Sequence, residues 1–295
     1  MSNIVCFGEV LWDVFPSYKK IGGAPLNVAL RLNSFNNNVT VISSLGKDVN
    51  GTDLLNYIKK EGLNNSAIQI NEEFNTSEVI VSLDKSGSAS YSIEFPCAWD
   101  YITINDTILS SVKKSDAFIF GSLIARNEVS YKTLLQLINV APFKVFDVNL
   151  RPPHYKINVV IELMQKADFI KFNDDELFEV CRKLDFNSDD LKKNIEFISK
   201  KTITDTICVT LGGKGAIIFI NKNYYFNDGY IVNVIDTVGA GDSFLAALIH
   251  KLLKKEKPQN AINFACSVGA LVASSVGANP KISNKNIIEL TKTLH

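Results

Sequence analysis

The sequence predicts a doubly wound α/β/α sandwich carrying a small β lid, and three observations lead there. Short apolar runs that read as strands alternate with amphipathic runs that read as helices along most of the chain. That rhythm breaks once, between about residues 64 and 101, where a period of two replaces it. Polar and glycine-rich residues gather where strands end, at 8–13, 121–122, 147–151, 173–176, 210–215 and 236–242. Ligands of doubly wound sheets sit beyond the carboxyl ends of the strands, so these stretches mark one edge as the site.

The first strand is NIVCF at 3–7, ended by Gly8, with Glu9 and Asp13 following as the chain leaves the sheet. Gly22-Gly23 open a helix. Pro25 suits its first turn, Asn27 sits in that turn, and Leu26, Ala29, Leu30 and Leu32 form its apolar stripe. VTVISSLG (39–46) reads as a strand, and GTDLLNYIKKEGL (51–63) as a helix closed by Gly62. Next, Val79, Val81 and Leu83 alternate with polar residues, DKSG (84–87) reads as a turn, and Tyr91, Ile93 and Phe95 alternate again. This is a β-hairpin with one apolar face, unstable alone in water. The face covers the active site as a lid, packs on a partner subunit, or extends the main sheet as an antiparallel edge.

From Ile104 the rhythm resumes, with strands at 116–121, 143–149, 168–173 and 206–212. Helices fall between them, near 128–139, 157–166, 174–184 and 189–200. GAIIFI and NYYFNDG read as further β structure, followed by a helix after Gly239, one over roughly 259–275 and a last near 284–293. There is no repeat, low-complexity tract or Pro-rich linker, so 1–295 reads as one domain with lid strands inserted at about 64–101.

At 46% hydrophobic, a chain of this length can bury a full core. Lys+Arg and Asp+Glu both number 31, so charge recommends neither nucleic acid nor a membrane surface as partner. Five cysteines lie scattered without a C-x-x-C pair, and the three histidines complete no metal-ligand set. Buried reduced thiols fit a soluble, cytoplasmic protein. The N-terminus lacks a signal-peptide pattern, and no apolar run reaches the length of a spanning helix.

The chemistry centres on DTVGAGDSF at 236–244. Gly239-Ala240-Gly241 stand at the mouth of an apolar helix, where free first-turn amides and the helix dipole form an anion site without a basic side chain. Asp242 places a carboxylate beside it. That pairing suits an enzyme moving a negatively charged group onto a hydroxyl, with amides stabilising charge and the carboxylate taking the proton. Taken alone, an acid in a first helical turn is equally well explained by the dipole.

GGAPLNVA (22–29) and DTVGAGDSF (236–244) stand in the order and spacing of the ribokinase-like carbohydrate kinase family, and the resemblance runs to about Pro280. The Gly-Gly-Ala-Pro-x-Asn wording and Asp147-Val-Asn-Leu-Arg151-Pro resemble its fructokinase branch. The resemblance implies an ATP- and Mg²⁺-dependent sugar kinase with Asp242 as catalytic base and the amides of 239–242 holding the transferred phosphate. It implies that Asp13 and Asn27 bind sugar hydroxyls while Gly22 and Gly23 let the sugar lie against the backbone. Turn-forming and helix-starting roles account for Asp13 and Asn27 individually. Asn173 and Glu176 match an Asn-x-x-Glu element acting on Mg²⁺ through its waters, and the same residues also make an ordinary acidic helix start. Thr210, Gly212 and Gly215 match a nucleotide-binding turn, with Asn263–Ala270 and Val276–Pro280 flanking adenine. Arg151 matches an arginine near substrate or phosphate in some relatives; a surface ion pair explains it equally.

Many relatives also bind a monovalent cation near the positions of Asp236, Val238, Val272, Ser275 and Gly277. Here Lys281 stands where a small residue is common, and an ammonium would compete with that ion. Activity is therefore expected to depend on Mg²⁺ and little on K⁺. The lid wording EFPCAWDYI also departs from the commonest fructokinase pattern. The expected partners are a neutral sugar, ATP and a second copy of the chain joined through the lid. Rival readings are a dinucleotide-dependent oxidoreductase, whose G-x-G-x-x-G is missing, and a non-catalytic sugar sensor, which would not need Asp242. Ribose, adenosine and 2-keto-3-deoxygluconate are alternative acceptors.

Overall fold

A computed structural model describes residues 1–83 and 89–292. The strands are β1 (Asn3–Phe7), β2 (Leu11–Val14), β3 (Lys19–Gly22), β4 (Asn38–Gly46), β5 (Ile68–Asn71), β6 (Ser77–Leu83), β7 (Ala89–Ile93), β8 (Ala117–Gly121), β9 (Lys144–Asp147), β10 (Phe169–Asn173), β11 (Thr206–Thr210), β12 (Ala216–Ile220) and β13 (Asn223–Asn227). The helices are α1 (Ala24–Ser34), α2 (Val49–Lys60), α3 (Asp106–Lys113), α4 (Glu128–Ile138), α5 (Ile157–Lys166), α6 (Asp174–Lys183), α7 (Leu191–Thr202), α8 (Ala240–Leu253), α9 (Pro258–Ala273) and α10 (Asn284–Thr291).

One nine-stranded sheet runs β13-β12-β11-β10-β9-β8-β1-β4-β5. Its ladders are parallel from β11 to β5, and β12 and β13 add an antiparallel edge. The central strands are apolar on both faces because helices cover both. Ile4 and Cys6 of β1 face a core shared with α1, α2, α8, α9 and α10, while Val5 and Phe7 face one shared with α3 to α7. Phe120 and Phe146 pack across β8 and β9 with centroids 5.3 Å apart, each burial worth roughly 1.5–3 kcal/mol. The chain proceeds from β1 outward to β5, then restarts at β8 and runs the other way. The order therefore reverses between β1 and β8, and a crevice opens at their carboxyl ends.

The expected α/β/α sandwich with a lid is what forms, but the lid is built differently. It has four strands in the order β3-β2-β6-β7. Asp13 and Gly22 lie within β2 and β3, not in a connection leaving the sheet. β6 joins β2 in parallel and β7 in antiparallel fashion. The stretch from residue 64 also supplies β5, which belongs to the main sheet. LWDV and KKIG are too short, and too mixed in polarity, for a period of two to register. The expected DKSG turn at 84–87 lies outside the described residues. Val79 and Val81 are 4% and 2% exposed within one chain, so they need no second subunit as cover. Among the described side chains of the 64–101 stretch, Ile70, Ile80 and Phe95 are exposed apolar groups, at 48%, 46% and 55%. All five cysteines are buried and unpaired, and no helix among the described residues is long and apolar enough to cross a membrane.

Candidate active site

Gly239 caps α8 at φ 75°, a left-handed conformation that costs glycine little. A Cβ there would also run into Ala278, so the turn and the 278–280 segment sit in direct contact. Ala240 donates its amide to the Thr237 carbonyl at 3.2 Å and Ser243 donates to Gly239 at 2.9 Å. Among the described residues, the amides of Gly241 and Asp242 have no such partner. The anion site is thus narrower than the sequence implied, because one of its four expected amides is engaged.

Asp242 is partly buried in the first turn of α8, and its Oδ2 accepts from Asn27 Nδ2 at 2.8 Å. Burial, with Asp147 adding repulsion, pushes its carboxyl up to about 6; the Asn27 hydrogen bond, Lys171 and Arg151 work against that. A base of that strength is ionised at neutral pH and still takes a proton readily. Asn27 is itself pinned, since its Oδ1 accepts from Asn279 Nδ2 at 2.7 Å. The residue expected to bind sugar therefore also orients the carboxylate.

Asp13 faces the crevice from β2, its carboxyl raised by burial and drawn back down by Arg151 and Lys20. A Cβ on Gly22 would strike the Asp13 carboxylate, and one on Gly23 would strike the Glu9 carbonyl. The glycine pair thus makes room for Asp13 and for close packing of α1 on the strand exit. Arg151 is exposed, forms no ion pair among the described residues, and acts electrostatically on Glu9, Asp13 and Asp242. Glu9, which the sequence places at the strand exit without a role, stands in the site as well. It is buried, its Oε2 has no hydrogen-bond partner among the described residues, and burial lifts its carboxyl to about 7.

Lys171 escaped notice, although a lysine inside the apolar strand FIKFN was the available signal. It lies opposite Asp147 in the β9–β10 ladder, with Nζ 3.0 Å from Asp147 Oδ1. Burial opposes its charge, but Asp147, Glu176 and Asp242 together hold the ammonium above its usual range. A Cβ built on Gly241 would stand 3.6 Å from that Nζ, so the cation reaches the mouth of α8.

Asn173 and Glu176 form a reciprocal cap on α6, with Asn173 Oδ1 accepting from the Glu176 amide at 2.8 Å and Glu176 Oε2 from the Asn173 amide at 2.9 Å. Glu176 Oε1 accepts from the Leu150 amide at 2.9 Å, tying the Arg151 loop to α6. Each oxygen keeps a lone pair for one metal-bound water, so Glu176 suits Mg²⁺ as an outer partner. No group of three metal-ligating side chains occurs among the described residues.

Thr210 ends β11, and its hydroxyl donates to Phe172 O at 3.3 Å. In the turn that follows, Gly212 and Gly213 face open space, whereas Gly215 packs on the Asn227 backbone. Asn263 is committed within the fold, its Oδ1 accepting from Asn227 at 3.0 Å and from Gln259 at 2.9 Å. Asp236 accepts from the amides of Val238 at 3.0 Å and Gly277 at 3.1 Å. Lys281 is exposed and forms no ion pair among the described residues. The structure does not bring its ammonium to Asp236.

A reversed-order parallel sheet, a β lid over its carboxyl edge and a helix-mouth anion site beside a carboxylate define a phosphotransferase of ribokinase-like fold. The comparisons agree. The chain belongs to the pfkB family of carbohydrate kinases, whose family model matches residues 1–285. Probable fructokinase-5 of Arabidopsis thaliana is 28% identical over 95% of this chain and 94% of its own length. An uncharacterized sugar kinase of Pyrococcus horikoshii, solved in complex with ATP, superposes with a TM-score of 0.83 at 26% identity, covering 97% of both chains. A double-mutant fructokinase of Vibrio cholerae, in a fructose-, ADP- and potassium-bound form, superposes with a TM-score of 0.85 at 23% identity over 99% of this chain and 98% of that one.

Proposed function

We propose that this sugar kinase transfers the γ-phosphoryl group of ATP to the terminal hydroxyl of D-fructose, giving fructose 6-phosphate. The observation carrying the reading is Asp242, oriented by Asn27 beside the open amides of Gly241 and Asp242. In the reaction, Asp242 takes the hydroxyl proton, the alkoxide oxygen bonds to the γ-phosphorus, and the bond to the ADP oxygen breaks. The two amides and Lys171 Nζ meet the charge gathering on the transferred group. Glu176 would hold a water of a Mg²⁺ ion, and that ion, when bound, would supply neutralisation of phosphate charge. Thr210, Gly212 and Gly215 shape the nucleotide side, with Asn263 behind it.

Asp13 and Asn27 offer acceptor and amide groups to the hydroxyls of a neutral ring. The fructose-bound relative supports that acceptor. Arg151, exposed and without an ion pair among the described residues, favours a carboxylated sugar such as 2-keto-3-deoxygluconate as the second reading. Comparing kcat/KM for fructose, ribose, adenosine and 2-keto-3-deoxygluconate on one preparation is the test. A tenfold advantage for any of the other three overturns the fructose assignment. We further propose a cytoplasmic enzyme of one domain, dimeric through the lid, with Ile80 and Phe95 as the apolar groups available for contact. A monomer by light scattering at micromolar concentration sinks the dimer.

A further inference from the structure

Two hydrogen-bonded bridges run side by side from α1 to the segment after α9. In the first, Asn27 donates to Asp242 Oδ2 at 2.8 Å and accepts from Asn279 Nδ2 at 2.7 Å. In the second, Arg31 donates through Nε to Ser243 Oγ at 3.1 Å and through Nη2 to the Pro280 carbonyl at 2.9 Å. Residues 27 and 31 lie one turn apart on one face of α1. Their partners are consecutive as well, 242 with 243 and 279 with 280. Each rung therefore joins one residue of the α8 first turn to one residue of the 278–280 segment. Ala278, in that same segment, abuts Gly239 at the mouth of α8.

Arg31 is 3% exposed and has no ion-pair partner among the described residues. Burying a guanidinium without a carboxylate is costly, and an aliphatic side chain would continue the apolar stripe of α1 without that cost. Packing alone does not account for an arginine here. Its planar fork does, since two donors diverging from one rigid group can hold the Ser243 hydroxyl and the Pro280 carbonyl in a set relation.

We propose that Arg31 is a positioning residue for phosphoryl transfer, holding the Ala278–Pro280 segment against the mouth of α8 so that the base and the open amides keep one register. It acts through Ser243 and Pro280, the two groups it holds. The inference rests on the reading of Asp242 as the base.

The test uses the full chain carrying Arg31→Met, Arg31→Lys, Asn279→Ala, and Arg31→Met with Asn279→Ala. kcat and KM are read separately for fructose and ATP, with the melting temperature as a folding control. Arg31→Met, folded, is expected to lower kcat at least about tenfold while KM for fructose moves less than about threefold. Arg31→Lys, reaching one of the two acceptors, recovers part of that loss. The double variant is expected to fall within about twofold of Arg31→Met, because both changes release the same segment. A folded Arg31→Met with less than a tenfold loss, or single losses that multiply in the double variant, overturns the proposal. Should Arg31→Met fail to fold, Arg31→Lys and Asn279→Ala decide, and full turnover in both overturns it. Asp242→Asn, assayed in parallel, separates the two failures. If it is inactive while the Arg31 variants are not impaired, only the positioning role falls; if it too turns over, the reading of the base falls.

Discussion

Lys171 and Asp147 face each other across the β9–β10 ladder as a buried ion pair of 3.0 Å whose cation also approaches Gly241 at the mouth of α8. The pair does two jobs that can be separated. Asp147 offsets the burial of the ammonium, and under the proposed mechanism the ammonium presents charge to the transferred phosphoryl group. Lys171→Met should therefore destabilise the fold by about 3–5 kcal/mol, because it leaves Asp147 buried without its partner. Adding Asp147→Asn should recover most of that stability. Turnover should stay at least about a hundredfold below wild type in both variants if the cation meets transition-state charge. Thermal melts and kcat on the three proteins decide it. Turnover that returns with stability would reduce Lys171 to a structural ion.

Asp242 predicts opposite pH trends for activity and stability. With its carboxyl raised to about 6, kcat/KM should fall as pH drops through about 6 and the base is protonated. Stability runs the other way. The unfolded carboxylate, near 4, gives up its proton more easily than the folded one, so folding loses stability as pH rises between about 4 and 6. Glu9, raised to about 7, adds a second loss with the same sign up to that pH. Asp242→Asn should cut kcat on the order of a thousandfold with nucleotide binding roughly retained. It should also raise stability at pH 8 by up to roughly 3 kcal/mol, and by little at pH 4. A variant retaining a tenth of the turnover excludes Asp242 as the base.

The cation expectation has lost one of its supports. Lys281 forms no ion pair with Asp236 among the described residues, and the Asp236 carboxylate accepts from the amides of Val238 and Gly277, one on each oxygen. Activity is still expected to require Mg²⁺ and to gain little from K⁺. Rates in sodium, potassium and tetramethylammonium buffers test it, and a several-fold activation by potassium overturns it.

The β–α rhythm was legible because strands buried on both faces and helices with one apolar stripe leave different periods in the sequence. Nearly every main-sheet strand and its helix followed from that. The lid was half legible. Val79 and Val81 alternate clearly, but LWDV and KKIG carry a Trp, an Asp and two Lys in eight residues, and only long-range pairing makes them strands. The site separated along similar lines. Gly239 and Asp242 announce themselves because glycine and acid at a helix mouth have a local physical meaning. Lys171, Glu9, Arg31 and Asn279 do not, since their roles come from partners that the fold brings in from distant sequence. A cation inside an apolar strand or helix stripe, as at Lys171 and Arg31, was the trace they left.

The last prediction separates the two sugar-side residues, which the sequence treated as a pair. Asp13 stands on the lid sheet and forms no hydrogen bond to Asp242 among the described residues, whereas Asn27 donates to the Asp242 carboxylate at 2.8 Å. Losing Asp13 removes an acceptor for sugar hydroxyls and leaves the base as it was. Asp13→Ala should thus raise KM for fructose by about tenfold or more with a smaller change in kcat, and leave ATP binding nearly untouched. Losing Asn27 also removes a hydrogen bond that favours the ionised form of Asp242. Asn27→Ala should therefore lower kcat about as much as it raises KM, and move the acid limb of the kcat/KM profile upward from about 6. Asn27→Asp sharpens the contrast, since a second carboxylate beside the base would raise that limb further. pH profiles and separate kinetic constants for the three variants give the answer. If Asp13→Ala and Asn27→Ala alter KM alike and leave the acid limb where it stands, Asn27 serves the sugar only and its bond to Asp242 has no part in the chemistry.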